Sequence, residues 1–418
     1  MTRWFRWCVA VGIGVGIVTA CQERLTSPAD CPQLCPGGSP QVFDTVVPAI
    51  GGLDSSFPAA ADLASGGYVN RGRGTALLLS NGFPASEDRP VYQFAPRSDQ
   101  IAVRDTFRTF TVDSALINVT IVARDTLVGG LKLFLYRIPS GVDSTVTFTG
   151  IEPLLVPANL IDSIVVPDSV HTGAVSAKLD ATEVGRVALV GSDSTLAIAL
   201  AMTANAPTGV RVGSLASSSA ATFTSFVTLD VPDTGSVKHQ SLSRATAFNI
   251  FVTENPIVPV DSLLTVGGEP SSRALVRFNL SRDFLDSSSI VRATLEITPV
   301  RPIFSLHGDP SILQALPVAG DIGAKSPISS DTALIRTGTD TLPVIESDTV
   351  RLDVTRFVQV WQASSLRPQS IFLRIAPEAA TFARAQFFST RSHGPDPSVQ
   401  VAPRLRITYQ RSFPFQTP

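Results

Sequence analysis

The chain has 418 residues, 44% of them hydrophobic, and a formal net charge of −2. That length accommodates two domains or three, and so small a charge gives no sign of nucleic acid as a partner. Lysine is confined to Lys132, Lys178, Lys238 and Lys325, so the positive charge is nearly all arginine, which reads as a bias of base composition rather than phosphate recognition.

The chain opens on MTRWFRWCVAVGIGVGIVTAC, with Arg3 and Arg6 in a short basic head and an apolar run from Trp7 to Ile17. This is the three-part plan of a secretory signal, and the run is too short for the roughly 20 residues of a membrane span. Val18, Thr19, Ala20 and Cys21 resemble the lipobox of bacterial lipoproteins. That resemblance implies cleavage after residue 20, diacylglycerol on the Cys21 thiol and a further acyl chain on its amine. Two or three chains, at roughly 0.8 kcal/mol per buried methylene, anchor a protein stably where one does not. Gln22 in place of Asp implies the outer membrane by the same resemblance. With the two arginines lost, the mature chain carries −4 instead of −2.

Residues 21–45 read as a tether. Cys8 leaves with the signal and Cys21 is lipidated, so Cys31 and Cys35 in CPQLCPGGSP remain for a small local disulfide in an oxidising compartment. Beyond the tether there is no cysteine, so the folded part depends on an apolar core.

From residue 46 the text is β throughout: runs rich in Val, Ile, Thr and Phe, broken by Asp, Ser, Gly and Pro. Ala115, Ile117, Val119 and Ile121 alternate with polar residues, as do Leu131, Leu133 and Leu135, then Val291, Ala293, Leu295 and Ile297, and finally Leu405, Ile407 and Tyr409. Period-two alternation marks strands with one wet face, the antiparallel habit. Five segments recur in order at an offset near 180 residues: RPVYQFAP with RALVRFNL, VDSALINVTIV with IVRATLEITPV, AKLDATEVGRV with VRLDVTRFVQV, TLAIALAMTA with SIFLRIAPEA, and TFTSFVTLDV with APRLRITY. The expected fold is all-β: two tandem antiparallel sandwiches of jelly-roll type, over 46–232 and 244–411, with the boundary at Pro232–Ser243.

In VRLDVT, Val350, Leu352 and Val354 are expected inward and Arg351 and Asp353 outward. Thr355 is placed to cap a short helix whose inner face holds Phe357, Val358 and Trp361, with Trp361 plugging the end of the sandwich.

The second repeat resembles the DNRLRE domain, a β-sandwich family of bacterial exported proteins related to carbohydrate-binding modules. The residues that carry the resemblance are Ser271–Ser281, the following VRATLEI, Val350–Trp361, Phe387–Thr390 and the terminal PRLRITY, over roughly Phe248 to Gln410. It implies a non-catalytic module that contacts polysaccharide or cell-envelope material.

Catalytic signals are scarce. His171, His239, His307 and His393 lie in polar or turn-like surroundings without a second ligand at metal spacing. No G-x-S-x-G, P-loop or H-E-x-x-H occurs. Asp105, Asp125, Asp143, Asp162, Asp193 and Asp230 sit at expected strand ends as turn formers; no cofactor is expected, and a structural calcium ion held by turn oxygens stays open. What remains is a set of arginines at outward positions, Arg277, Arg351, Arg374, Arg404 and Arg406, expected to form one basic face for an acidic polysaccharide. The alternatives are a polysaccharide lyase or hydrolase, and a plain spacer or assembly protein.

Overall fold

Strand after strand forms where apolar residues alternate. A computed structural model describes residues 42–50, 62–65, 71–96, 100–103, 105–182, 184, 195–231, 238–256, 262–269, 271–309, 311–323, 326–329, 335–342, 349–392 and 401–411. The signal, Cys21, Gln22, Cys31, Cys35, Asp193 and His393 lie outside the described residues.

Two early strands pair with later parts of the chain, β1 (Val42–Pro48) with residues 404–410 and β2 (Asp62–Ser65) with residues 272–275. The first sandwich holds β3 (Ala76–Asn81), β4 (Asp88–Phe94), the small hairpin β5 (Ile101–Val103) and β6 (Thr106–Arg108), and β7 (Phe110–Arg124). It continues through β8 (Lys132–Ile138), helix α1 (Phe148–Ile151), β9 (Leu160–Val165), β10 (Gly173–Leu179) and β11 (Ala197–Thr203). Strands β12 (Thr208–Gly213), β13 (Thr222–Leu229) and β14 (His239–Thr253) complete it. The second holds β15 (Leu263–Gly267), β16 (Ser272–Arg277), α2 (Arg282–Asp286), β17 (Ser288–Ile297) and β18 (Pro299–Phe304). It ends with β19 (Ser311–Pro317), β20 (Arg336–Leu342), β21 (Val350–Asp353), α3 (Thr355–Ala363), β22 (Ser370–Ala376), β23 (Arg384–Phe388) and β24 (Arg404–Arg411).

The protein is all-β, two tandem antiparallel sandwiches, and the strand pairing is duplicated. In the first, β7 lies between β13 and β10; in the second, β17 lies between β24 and β21. β4–β11–β8–β9 in one corresponds to β16–β22–β19–β20 in the other. β3–β12 corresponds to β15–β23. The difference lies in the closing strand. β14 is long enough to pair with β13 through its first half and β4 through its second. In the second sandwich those two places are taken by β1 beside β24 and β2 beside β16.

The boundary at Pro232–Ser243 is therefore corrected: 239–253 closes the first sandwich, and 42–48, part of it read as tether, belongs to the second. The physical reason lies in β14. Its first half alternates between exposed and half-buried positions, so Gln240 to Ser243 looked like linker.

Each sandwich has its own core. Leu77, Leu79, Tyr92, Phe94, Ile117, Ile121, Leu133 and Phe251 fill the first; Leu295, Leu352, Phe357, Trp361, Phe387 and Ile407 fill the second. Trp361 is 3% exposed and packs on Phe278 at 6.5 Å, the plug expected of it. Thr355 is corrected: it is the first helical residue, not the cap, and its amide and hydroxyl both donate to Asp353 Oδ1. Val291 is corrected too. A bulge between Ile290 and Arg292 turns Ile290 inward and leaves Val291 52% exposed.

Some strands do not alternate because both faces are covered. Val91, Ala197, Ala199, Ile250 and Val252 are buried under Phe148, Ile151, Leu154 and Leu155 of the α1 segment. Leu275, Leu316 and Phe372 are likewise covered by Ile328 and Ile335. Continuous apolar runs such as AIALAM follow from that double burial.

Candidate functional site: an arginine face

The sheet β1–β24–β17–β21 turns one face inward and carries its polar side chains on the other. Register sets the neighbours. Glu296 on β17 lies opposite Arg404 of β24 on one side and Arg351 of β21 on the other, and Thr294 lies opposite Arg406. Directly opposed and diagonal positions in an antiparallel sheet are within reach of long side chains.

Three guanidiniums converge on one carboxylate. Arg404 Nε donates to Glu296 Oε2 at 2.7 Å, and Arg406 Nε and Arg351 Nε donate to Oε1 at 3.1 and 3.5 Å. Lying under them, the Glu296 side chain is only 3% exposed, whereas those of Arg351 and Arg406 are 63% and 47% exposed. Burial opposes the charge on Glu296, but the hydrogen bonds and fields of Arg404 and Arg406 outweigh it and hold the carboxyl below its usual range. At one edge, burial likewise opposes ionisation of Asp353, yet Thr355, Arg292 and Arg336 keep it below the usual range. At the other edge Thr408 Oγ1 donates to Asp44 Oδ1. Among the described residues, Arg351, Arg404 and Arg406 reach protein acceptors only through Nε, which leaves their Nη groups for a ligand or for water.

The expected five-arginine face is corrected to three. Arg277 is 3% exposed and closes a bidentate pair with Asp321, Nε to Oδ2 at 2.8 Å and Nη2 to Oδ1 at 2.9 Å. It lines a cavity of about 450 Å³ with Ile50, Asn279, Ile322 and Gln369. Although burial opposes ionisation, Arg277, Ser370 and the Gly323 amide bring Asp321 down to about 2. Arg374 lies in the opposite sheet, its Nε on Gln314 Oε1 at 2.9 Å. Sequence alternation names outward positions but not which sheet each strand joins. Glu296, the centre of the cluster, went unrecognised: its alternation with Arg292 and Thr294 was legible, its register against Arg351 and Arg404 was not.

Elsewhere, Asp125 and Asp143 act as turn formers, accepting from the amides of Leu127 and Thr145, and Asp105 takes a positive φ of 64°. His239 Nδ1 shares a hydrogen bond with Thr228 Oγ1. Among the described residues, no three His, Cys, Asp or Glu gather as a metal site.

No family model and no curated protein matches the chain. Among solved structures it is similar, at 13% identity and a TM-score of 0.16, to the type II cohesin dyad from the adaptor ScaA scaffoldin of Acetivibrio cellulolyticus, over 77% of this chain and 88% of that one. So low a score carries no argument. The fold rests on the strand pairing itself, and the functional reading on the side chains.

Proposed function

We propose that this chain is a non-catalytic, lipid-anchored protein of the bacterial cell envelope, outer membrane favoured, whose second sandwich binds an anionic polymer such as an acidic polysaccharide. The observation that carries it is the set of Nη groups on Arg351, Arg404 and Arg406 that meet no protein acceptor among the described residues. Glu296 holds the three guanidiniums in place, and their outer edges are available to carboxylates of a polymer, which arginine binds bidentately.

Binding of the full chain to a polyuronate, measured by calorimetry at low and high salt, tests the reading. Saturable binding that salt weakens, without release of shortened product, is the expected result. Arg404→Ala combined with Arg406→Ala removes about 1.5–3 kcal/mol, tenfold or more in affinity. Product release would place the chain among lyases or hydrolases. Silence would leave a spacer, a reading favoured by the fact that each arginine already has a carboxylate partner. Palmitate incorporation that disappears in Cys21→Ser tests the anchor separately.

A further inference from the structure

The two sandwiches meet at a buried seam. Phe382, which precedes β23, is fully buried among the first sandwich's core residues and meets Phe83 edge-on at 6.0 Å. Gly209 of β12 gives it room: a Cβ there would stand 2.6 Å from the Phe382 ring. Leu306 is buried in the same cluster. Arg211 of β12 pairs with Asp309 at 2.5 Å, their side chains 10% and 4% exposed. The Thr126 amide donates to the His307 carbonyl at 3.0 Å, a backbone bond across the seam.

Two further carboxyls are buried here. Asp88 opens β4, fully buried, and accepts from Ser80 Oγ at 2.8 Å and Thr253 Oγ1 at 2.7 Å. Glu269 comes from the second sandwich, on the turn between β15 and β16, where Gly267 and Gly268 take positive φ of 79° and 80°. It is 1% exposed, and its Oε1 has no hydrogen-bond partner among the described residues. Asp88 and Arg384 are the charged groups whose fields reach it. The Arg384 guanidinium lies over the Phe304 ring at 4.6 Å. Asp88 is faced by Glu87 and Arg89; Arg89 is itself paired with Glu87 and Glu152, and Arg273 with Glu378.

We propose that this seam is a proton-operated latch, in which the buried Asp88 and Glu269 carboxyls let the two sandwiches dock when neutral and loosen them when ionised. An ionised carboxylate with an orphaned oxygen in a dry seam is costly, whereas a neutral acid there is tolerated. Burial pushes Asp88 up to about 6, and burial together with the Asp88 charge pushes Glu269 well above its usual range. Asp309 is raised by burial too, against the pull of Arg211. For acids raised on docking, the docked form binds the extra proton. Docking is strongest at low pH and is lost as pH rises from the free values through the docked ones, about tenfold per pH unit for each proton linked.

Hydrogen exchange of the Thr126 amide in the full chain reads the docked fraction, with amides of the β7–β13 ladder as reference. Corrected for intrinsic exchange, Thr126 protection should fall about tenfold per unit between about pH 5 and 7 while the ladder holds. In Glu269→Gln, a neutral isostere, that dependence should flatten with protection kept high. An equal dependence in the variant, or a ladder that changes in step with Thr126, would overturn the latch. Infrared spectra of the unmodified protein give a second reading that needs no variant. A protonated-carboxyl stretch should be present at about pH 6, where ordinary carboxyls are ionised, and vanish as Thr126 protection falls; its absence at about pH 6 would also overturn the proposal.

Discussion

Glu296 and Glu269 are both nearly buried glutamates of the second sandwich, and their environments drive them in opposite directions. Glu296 lies under three guanidiniums at the surface of a sheet and is held ionised. Glu269 lies in a seam with one oxygen unpartnered, and burial together with the Asp88 charge pushes it toward the neutral form. Depth alone does not set the charge of a carboxyl. The number of donors that reach it does.

The largest effect that would test this contrast comes from the buried Arg211–Asp309 ion pair of the seam. Arg211→Ala leaves the Asp309 carboxylate buried without its partner and should cost about 3–5 kcal/mol in urea unfolding. Asp309→Asn added to it should recover part of that loss; no recovery would mean that the charge is not what the arginine serves. Phe382→Ala removes a ring from the same seam and should cost a similar ~3–5 kcal/mol, without changing the pH profile.

The pH dependence of stability should show both signs. Glu296 and Asp321 are depressed, so their contribution is present above the unfolded values and is lost as pH falls below about 4, for Asp321 through about 2. Asp88 and Glu269 are raised, so their contribution is present at low pH and is lost as pH rises from about 4 through about 6 and above. Urea midpoints in Glu269→Gln should therefore exceed those of the unmodified protein at pH 8, and a lower midpoint would break the contrast. Glu296→Gln should do the reverse, losing about 1 kcal/mol at neutral pH, because the three guanidiniums then repel one another without a shared negative charge, an effect that solvent screening keeps small. Smallest of all, Arg351→Ala should change stability by less than about 0.5 kcal/mol, since its side chain is mostly in water. A loss in polymer binding without a loss in stability at that position would separate the ligand role of the face from its structural one.

Much of the molecule was legible from spacing. Alternation at Ala115–Ile121 and Leu405–Ile407 gave strands with the correct inner faces, and helical spacing placed Phe357, Val358 and Trp361 in the core. Order and offset of the matched segments gave the duplication. The candidate site was legible only in part: Arg351, Arg404 and Arg406 share a face, while Arg277 and Arg374 went to other surroundings because outward alternation does not say which sheet a strand joins.

The amino-acid sequence by itself determined the local conformation, since side-chain period and turn residues act over a few positions and need no distant partner. Which strand closes each sandwich, which arginines meet at Glu296, and which acids are sealed in the seam were decided by tertiary structure. Those outcomes depend on pairing between residues hundreds of positions apart, as when Val46 of β1 falls beside Arg406 of β24, and on whether docking removes water from a carboxyl or surrounds it with donors.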